Sequence, residues 1–235
     1  MAGGKHMWKG KRLRQFGGTC GYFALVNAIN YLAPNDQTLG YNDVEKLLVV
    51  TIQKGYSNIG EIFHYDRFES IVAEFKSLNK QINFDHKFVN FDKELVNTLS
   101  ENQAIIVNYC SFPQNRVGFF SNSHWITIVK ANKARFIGTK NKILIIDSLK
   151  IKKKNLDEIY ASALKLKDKK FDWEEFLQSK GFKKHYLSNK RFRRRLNRCI
   201  SKIGFDFKKK MDDIQYQKDH AIIEHDHSKC LLLTF

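Results

Sequence analysis

From Gln103 onward the apolar residues stop recurring at helical intervals and close up into short β-branched runs, so the chain must combine a helical first part with a sheet. Ahead of that point the period is helical. Ala24, Leu25, Ala28, Ile29 and Leu32 recur at three- and four-residue steps, and Val44, Leu47, Leu48 and Ile52 do the same behind the capping pattern Asn42-Asp-Val-Glu45. Asp66-Arg-Phe-Glu69 repeats that device before Ile71, Val72 and Phe75. Phe88-Val-Asn-Phe91 predicts a short strand running into a helix capped by Asp92, with Leu95, Val96 and Leu99 inward. After Gln103, the runs 104–109, 124–130, 135–138 and 142–147 predict four sheet strands. Asn155 is placed to cap a helix with Leu156, Ile159 and Ala163 inward, Asp172-Trp-Glu-Glu175 opens another, and a basic helix is expected over 188–204. Cys230-Leu-Leu-Leu-Thr-Phe235 predicts a final strand that rejoins the sheet. The expected fold class is α+β.

A chain of 235 residues with 43% hydrophobic residues and 19 Phe can bury a sizeable core, and 2 Pro argue against long disordered linkers. Residues 1–6 read as an expression remnant, 7–150 as a catalytic core, and 151–235 as a basic helical extension that returns one strand to the sheet. No apolar run approaches the roughly 20 residues needed to span a bilayer, so no transmembrane segment is expected. Cys20, Cys110, Cys199 and Cys230 are widely spaced and unpaired in pattern, which suits a reduced compartment: the cytoplasm, or export without a signal peptide as a secreted effector.

The stretch Gln15-Phe-Gly-Gly-Thr-Cys20-Gly21 places one cysteine between glycines and the start of the first helical pattern. Backbone N–H groups without intrahelical partners and the positive end of the helix dipole meet there, so the position suits a thiolate, the form in which cysteine is a nucleophile. Gly17, Gly18 and Gly21 keep side chains clear of an approaching carbonyl. The Cys20 N–H and the Gln15 carboxamide are donors for a developing oxyanion.

A nucleophile needs a base. His124 stands at the head of one apolar run and Asp147 at the end of another, 23 residues later. If those two strands pair antiparallel, the beginning of one lies beside the end of the other, and the carboxylate can hold the imidazole in the tautomer that faces Cys20.

The order Gln15, Thr19-Cys20-Gly21, His124 before alternating apolar residues, and Ile146-Asp147 resembles the papain-like cysteine peptidase superfamily, particularly its C39-like bacterial branch and related effector deamidases. The resemblance covers roughly residues 10–150. It implies a helical lobe packed on an antiparallel sheet, with Gln15 as oxyanion-hole residue, Cys20 as nucleophile, His124 as base and Asp147 as orienter. It also implies amide cleavage through a thioacyl intermediate and a protein or peptide substrate. A cysteine protease is expected first; a glutamine deamidase or transferase acting on a host protein uses the same chemistry with another leaving group or acceptor.

A reading of a different class starts from charge. The formal net charge is +17, and 150–210 alone carries 21 Lys and Arg against 7 Asp and Glu. Arg191, Arg193, Arg194, Arg195 and Arg198 form a basic patch suited to an anionic partner, whether nucleic acid, an acidic protein or an anionic membrane surface, with a vestigial triad beside it. His220, His225, His227 and Cys230 are metal-ligand types near one another, but lack a second ligand pair at finger-like spacing, so no metal and no cofactor is expected.

Overall fold

The computed structural model describes residues 12–15, 19–34, 37–57, 60–62, 65–110, 123–130, 142–148, 151–164, 170–171, 190, 194, 198, 223–224 and 229–235. Among the described residues, five helices pack on a six-stranded antiparallel sheet, giving an α+β fold. In chain order come α1 (Cys20–Leu32), α2 (Tyr41–Gln53), α3 (Tyr65–Leu78), β1 (Asp85–Asn90), α4 (Lys93–Thr98), β2 (Gln103–Cys110), β3 (Ser123–Val129), β4 (Lys142–Ile146), β5 (Ile151–Asn155), α5 (Leu156–Leu164), β6 (Lys170–Phe171), β7 (Ile223–Glu224) and β8 (Lys229–Thr234). The sheet order is β1-β8-β2-β3-β4-β5, and β6 pairs with β7 separately.

The sheet is a middle layer with a core on each face. One core joins α1, α2 and α3 to Ala104, Ile106, Trp125, Val129, Ile146, Leu231 and Leu233. The other joins α4 and α5 to Ile105, Val107, Ile126, Ile128, Ile143 and Ile145. Alternate residues of each strand thus serve opposite cores, which is why these runs are apolar throughout rather than alternating. The last strand inserts between β1 and β2, with Leu231 opposite Phe88 on one side and Ile106 on the other.

Helix α1 is the central pillar, buried on nearly every side from Gly21 to Asn30. Phe23, Leu25 and Ile29 are fully buried there, each contributing about 1.5–3 kcal/mol of transfer free energy. Its two buried asparagines are satisfied by neighbouring backbone rather than by water. Asn27 accepts from Leu13 N at 2.8 Å and donates to Leu13 O at 3.1 Å. Asn30 treats Leu39 the same way, at 2.8 and 3.1 Å. The segments before and after α1 are therefore clamped to it through side chains, since they have no ladder of their own.

Most expected elements are present, with informative shifts. The α2 start lies two residues earlier than the Asn42–Glu45 pattern suggests: Gly40 is the N-cap, and Asp43 Oδ2 accepts its N–H at 2.8 Å. Asp92 caps α4 by accepting from Leu95 N at 2.7 Å, and Asn155 Oδ1 accepts from Asp157 N at 2.8 Å at the start of α5. Strand β5 had no signal, because Ile151-Lys-Lys-Lys-Asn155 is rich in a residue depleted from strands. It forms by pairing along β4, so the sheet continues past residue 150. The expected strand over 135–138, the helix opened by Asp172, His220, His225 and His227 lie outside the described residues, as do residues 1–6. So do Arg191, Arg193 and Arg195 of the expected basic helix, whereas Lys190, Arg194 and Arg198 are helical and exposed. Among the described residues no helix is long and apolar enough to cross a membrane, and no group of three or more metal-ligand side chains occurs.

Candidate active site

The start of α1 carries Cys20, which is partly exposed and unpaired with another cysteine. Thr19 is the N-cap residue but gives no side-chain cap, and no acidic residue occupies the first turn. Among the described residues, the helix start is thus not capped by a carboxylate, and its N–H groups and dipole favour negative charge there.

The backbone on both sides of Cys20 is fixed by the segment 60–62. Gly60 has φ +98°, in the left-handed region, and a Cβ there would lie 2.5 Å from Thr19 Cγ2. A Cβ on Gly21 would lie 2.6 Å from Ile62 Cδ1 and 3.3 Å from Trp125 Cδ1. A methyl group at either position would have to displace Ile62 or Thr19, so the close approach of this segment to the helix start suits glycine at 21 and 60. Trp125 locks the arrangement: its indole N–H donates to Ile62 O at 2.9 Å, and its ring packs edge-on against Phe68 and Tyr65, with centroids 4.9 and 5.6 Å away.

Strand β3 carries His124, the candidate base. It is docked to α1 by Thr127, whose hydroxyl donates to Ala24 O at 2.8 Å. His124 lies near its beginning, opposite Tyr109 of β2. The expected antiparallel pairing of β3 with β4 is present, but its register runs Thr127 with Ile146, so continuing it sets Ile126, not His124, across from Asp147. His124 is two residues further along and on the same face, the diagonal neighbour. The juxtaposition is unharmed by the shift. His124 Nε2–H donates to Asp147 Oδ1 at 3.0 Å, and the Cys20 side chain lies close enough to the ring to influence its charge, which leaves Nδ1 as the nitrogen for sulfur.

Burial opposes charge on the imidazole, but the hydrogen bonds and negative charge of Asp147 and Cys20 outweigh it, and the His124 pKa is raised to about 9. The ring therefore holds its proton at neutral pH. Asp147 is buried, at 2% side-chain exposure, and also contacts Lys152 Nζ, 2.6 Å from Oδ2. Arg12 donates to its main-chain carbonyl at 3.4 Å. Gln15 reaches the same place from the segment clamped by Asn27, and its Oε1 accepts from the hydroxyl of Ser148.

All four candidate residues read from the sequence, Gln15, Cys20, His124 and Asp147, are thus brought together by contacts among themselves and their neighbours. The basic patch is not joined to them in the described residues. Sequence reasoning missed Lys152, Ser148 and Trp125. Ser148 follows Asp147 directly and Trp125 follows His124, so adjacency to a site residue was the available signal; Lys152 carried none, because its strand was unforeseen. Cys230, set aside as a metal ligand, is buried in β8, where burial followed by the charge of Asp92 pushes its thiol up to about 12.

A mixed α+β frame that brings a helix-start thiol to a histidine backed by a carboxylate is the outline of a peptidase-like protein. A sequence model described as "Actin maturation protease-like, C-terminal domain" matches residues 10–130, more than half the chain and the part that bears Gln15, Cys20 and His124, and the chain belongs to that family. No curated protein matches the chain.

Proposed function

We propose that the protein is a thiol peptidase that cleaves a peptide bond of a protein substrate through Cys20, His124 and Asp147. The observation that carries this reading is the hydrogen bond from the His124 ring to Asp147 Oδ1 at 3.0 Å, with the Cys20 side chain at the start of a helix close enough to the ring to influence its charge. Thiolate attack on the substrate carbonyl carbon forms the C–S bond and puts charge on oxygen. The Cys20 N–H and the Gln15 amide group receive that charge. Protonated His124 gives its proton to the leaving amine as the C–N bond breaks, leaving a thioester. Neutral His124 then takes a proton from water, whose oxygen attacks the thioester; the acid product leaves and the thiolate–imidazolium pair is restored. Asp147 holds the ring so that Nδ1 faces sulfur throughout.

The family description supplies the first substrate to try, actin. Incubation with actin, read by intact mass, separates the reactions available to one site: loss of a peptide marks a protease, replacement of an amide NH2 by OH a deamidase, and addition of an amine a transferase. Independently of substrate, iodoacetamide near pH 6 is expected to modify one cysteine rapidly, with the reaction lost in Cys20→Ala and slowed in His124→Ala. Slow, equal modification of all the cysteines ends the enzyme reading.

The charge surplus supports a second reading, an anion-binding surface on the C-terminal part, with exposed Arg194 and Arg198 as its described members. Salt-dependent retention on heparin tests it, and charge reversal of Arg193, Arg194 and Arg195 must weaken that retention.

A further inference from the structure

Asp147 is gripped from two sides. Its Oδ1 accepts from His124, while Oδ2 lies 2.6 Å from the ammonium of Lys152, whose side chain is 22% exposed against 2% for the carboxylate. The geometry follows from register: Lys152 of β5 stands opposite Ile145 of β4, so it shares a sheet face with the residue two further on, Asp147. Tyr109 of β2, His124 of β3, Asp147 just past the end of β4 and Lys152 of β5 thus lie on one face of neighbouring strands, the face where His124 meets Tyr109, with ring centroids 6.2 Å apart.

We infer that Lys152 is a positioning residue of this site: its ammonium fixes the Asp147 carboxylate so that one oxygen is presented to His124, and it shares the charge that the imidazole feels. This rests on the thiol-peptidase reading for its consequence in catalysis, but not for the coupling itself. A carboxylate this buried needs more than one donor to stay ionised, and Lys152 provides a charged one. The ammonium also opposes a positive imidazolium through the shared carboxylate. Among the described residues, the groups that face this pair are Cys20 from α1, Tyr109 from β2, Lys152 from β5, and Arg12, which holds the Asp147 main-chain carbonyl rather than the carboxylate. A lysine in this role limits how tightly the histidine holds its proton, which a dyad of His124 and Asp147 alone does not do. The catalytic proton is thereby kept transferable.

The test is the titration of the His124 ring, followed by NMR on histidine-labelled full-length protein, with iodoacetamide alkylation of Cys20 measured in parallel. Lys152→Met is expected to move the His124 midpoint alkaline by about one pH unit, the size of one charge removed a few ångströms away in a partly buried site. Lys152→Arg is expected to return it to the wild-type value. Lys152→Gln keeps a donor without charge, so it is expected to shift the midpoint in the same direction; it carries the test should the Met variant fail to fold. A His124 midpoint unchanged in both Met and Gln variants overturns the inference. Because the same shift is expected in a Cys20→Ala background, failure of the peptidase reading, seen as no selective alkylation of wild-type Cys20, is a separate outcome from failure of this one.

Discussion

The Ser148 hydroxyl donates to Oε1 of Gln15, and this contact holds the carboxamide oxygen on the Ser148 side. With its oxygen engaged by Ser148, the carboxamide of Gln15 is oriented, and in the proposed mechanism its NH2 group is the oxyanion donor. Ser148 is itself buried, directly after the carboxylate that accepts from His124, so one short segment contacts both His124 and Gln15.

Gln15→Ala is accordingly expected to lower kcat by about 100- to 1,000-fold, the usual effect of losing one oxyanion donor, with little change in KM. Ser148→Ala leaves the donor present but free to flip, and a smaller loss, about tenfold in kcat, is expected. Equal losses in the two variants, or a loss confined to KM, contradict the assigned orientation. Steady-state kinetics on a cleaved substrate decides it.

The proton on His124 links stability to pH. Its folded pKa of about 9 lies above the ordinary 6.5, so the folded state binds this proton more tightly than the unfolded chain does. That stabilisation is complete below about pH 6.5 and is lost as pH rises through about 9. It amounts to at most about 3 kcal/mol. Urea unfolding of the wild type between pH 6 and 10 should therefore show falling stability, and His124→Gln should flatten the fall. A parallel decline in both proteins removes His124 as the cause.

Asn27 ties the Gln15-bearing segment to α1 through both backbone groups of Leu13. Asn27→Leu breaks two buried hydrogen bonds and leaves the Leu13 N–H and C=O without these partners. A destabilisation of about 2–4 kcal/mol is expected, since orphaned buried groups cost about 1–3 kcal/mol each. Activity should fall further than the folded fraction explains, because Gln15 loses its anchor. Normal kcat in the folded fraction would show that the segment is held by other means.

Gly60→Ala places a methyl group in contact with Thr19 and forces a side chain into the left-handed region. The backbone strain alone costs about 1–3 kcal/mol, a fall of several degrees in Tm for a chain of this size. Displacement of Thr19 shifts Cys20, so iodoacetamide alkylation should slow as well. Unaltered alkylation in a destabilised variant would mean that the 60–62 segment supports the fold without supporting the thiol.

Much of this was legible in the amino-acid order, because it is local. The periods of α1, α2 and α3, the caps at Asp92 and Asn155, the apolar runs of β2, β3 and β4, and the glycines around Cys20 are properties of neighbouring residues. Gln15, Cys20, His124 and Asp147 could be singled out because each sits at a beginning or an end of such a pattern. Their mutual arrangement could not be fixed there. The β3–β4 register, which sets His124 diagonal to Asp147 rather than opposite, is decided by how two strands share two cores.

Strand β5 marks the limit most clearly. Three consecutive lysines give no local reason to extend, and only the edge of β4, together with the buried carboxylate of Asp147 awaiting a cation, makes Ile151–Asn155 a strand and Lys152 part of the site. Sequence by itself determined most of the elements, β5 excepted, and which residues carry reactive groups, since those follow from local propensity and spacing. Tertiary structure alone decided which groups touch, because hydrogen bonds and charge pairs between segments over 100 residues apart, such as Gln15 with Ser148, exist only once strands have chosen their neighbours.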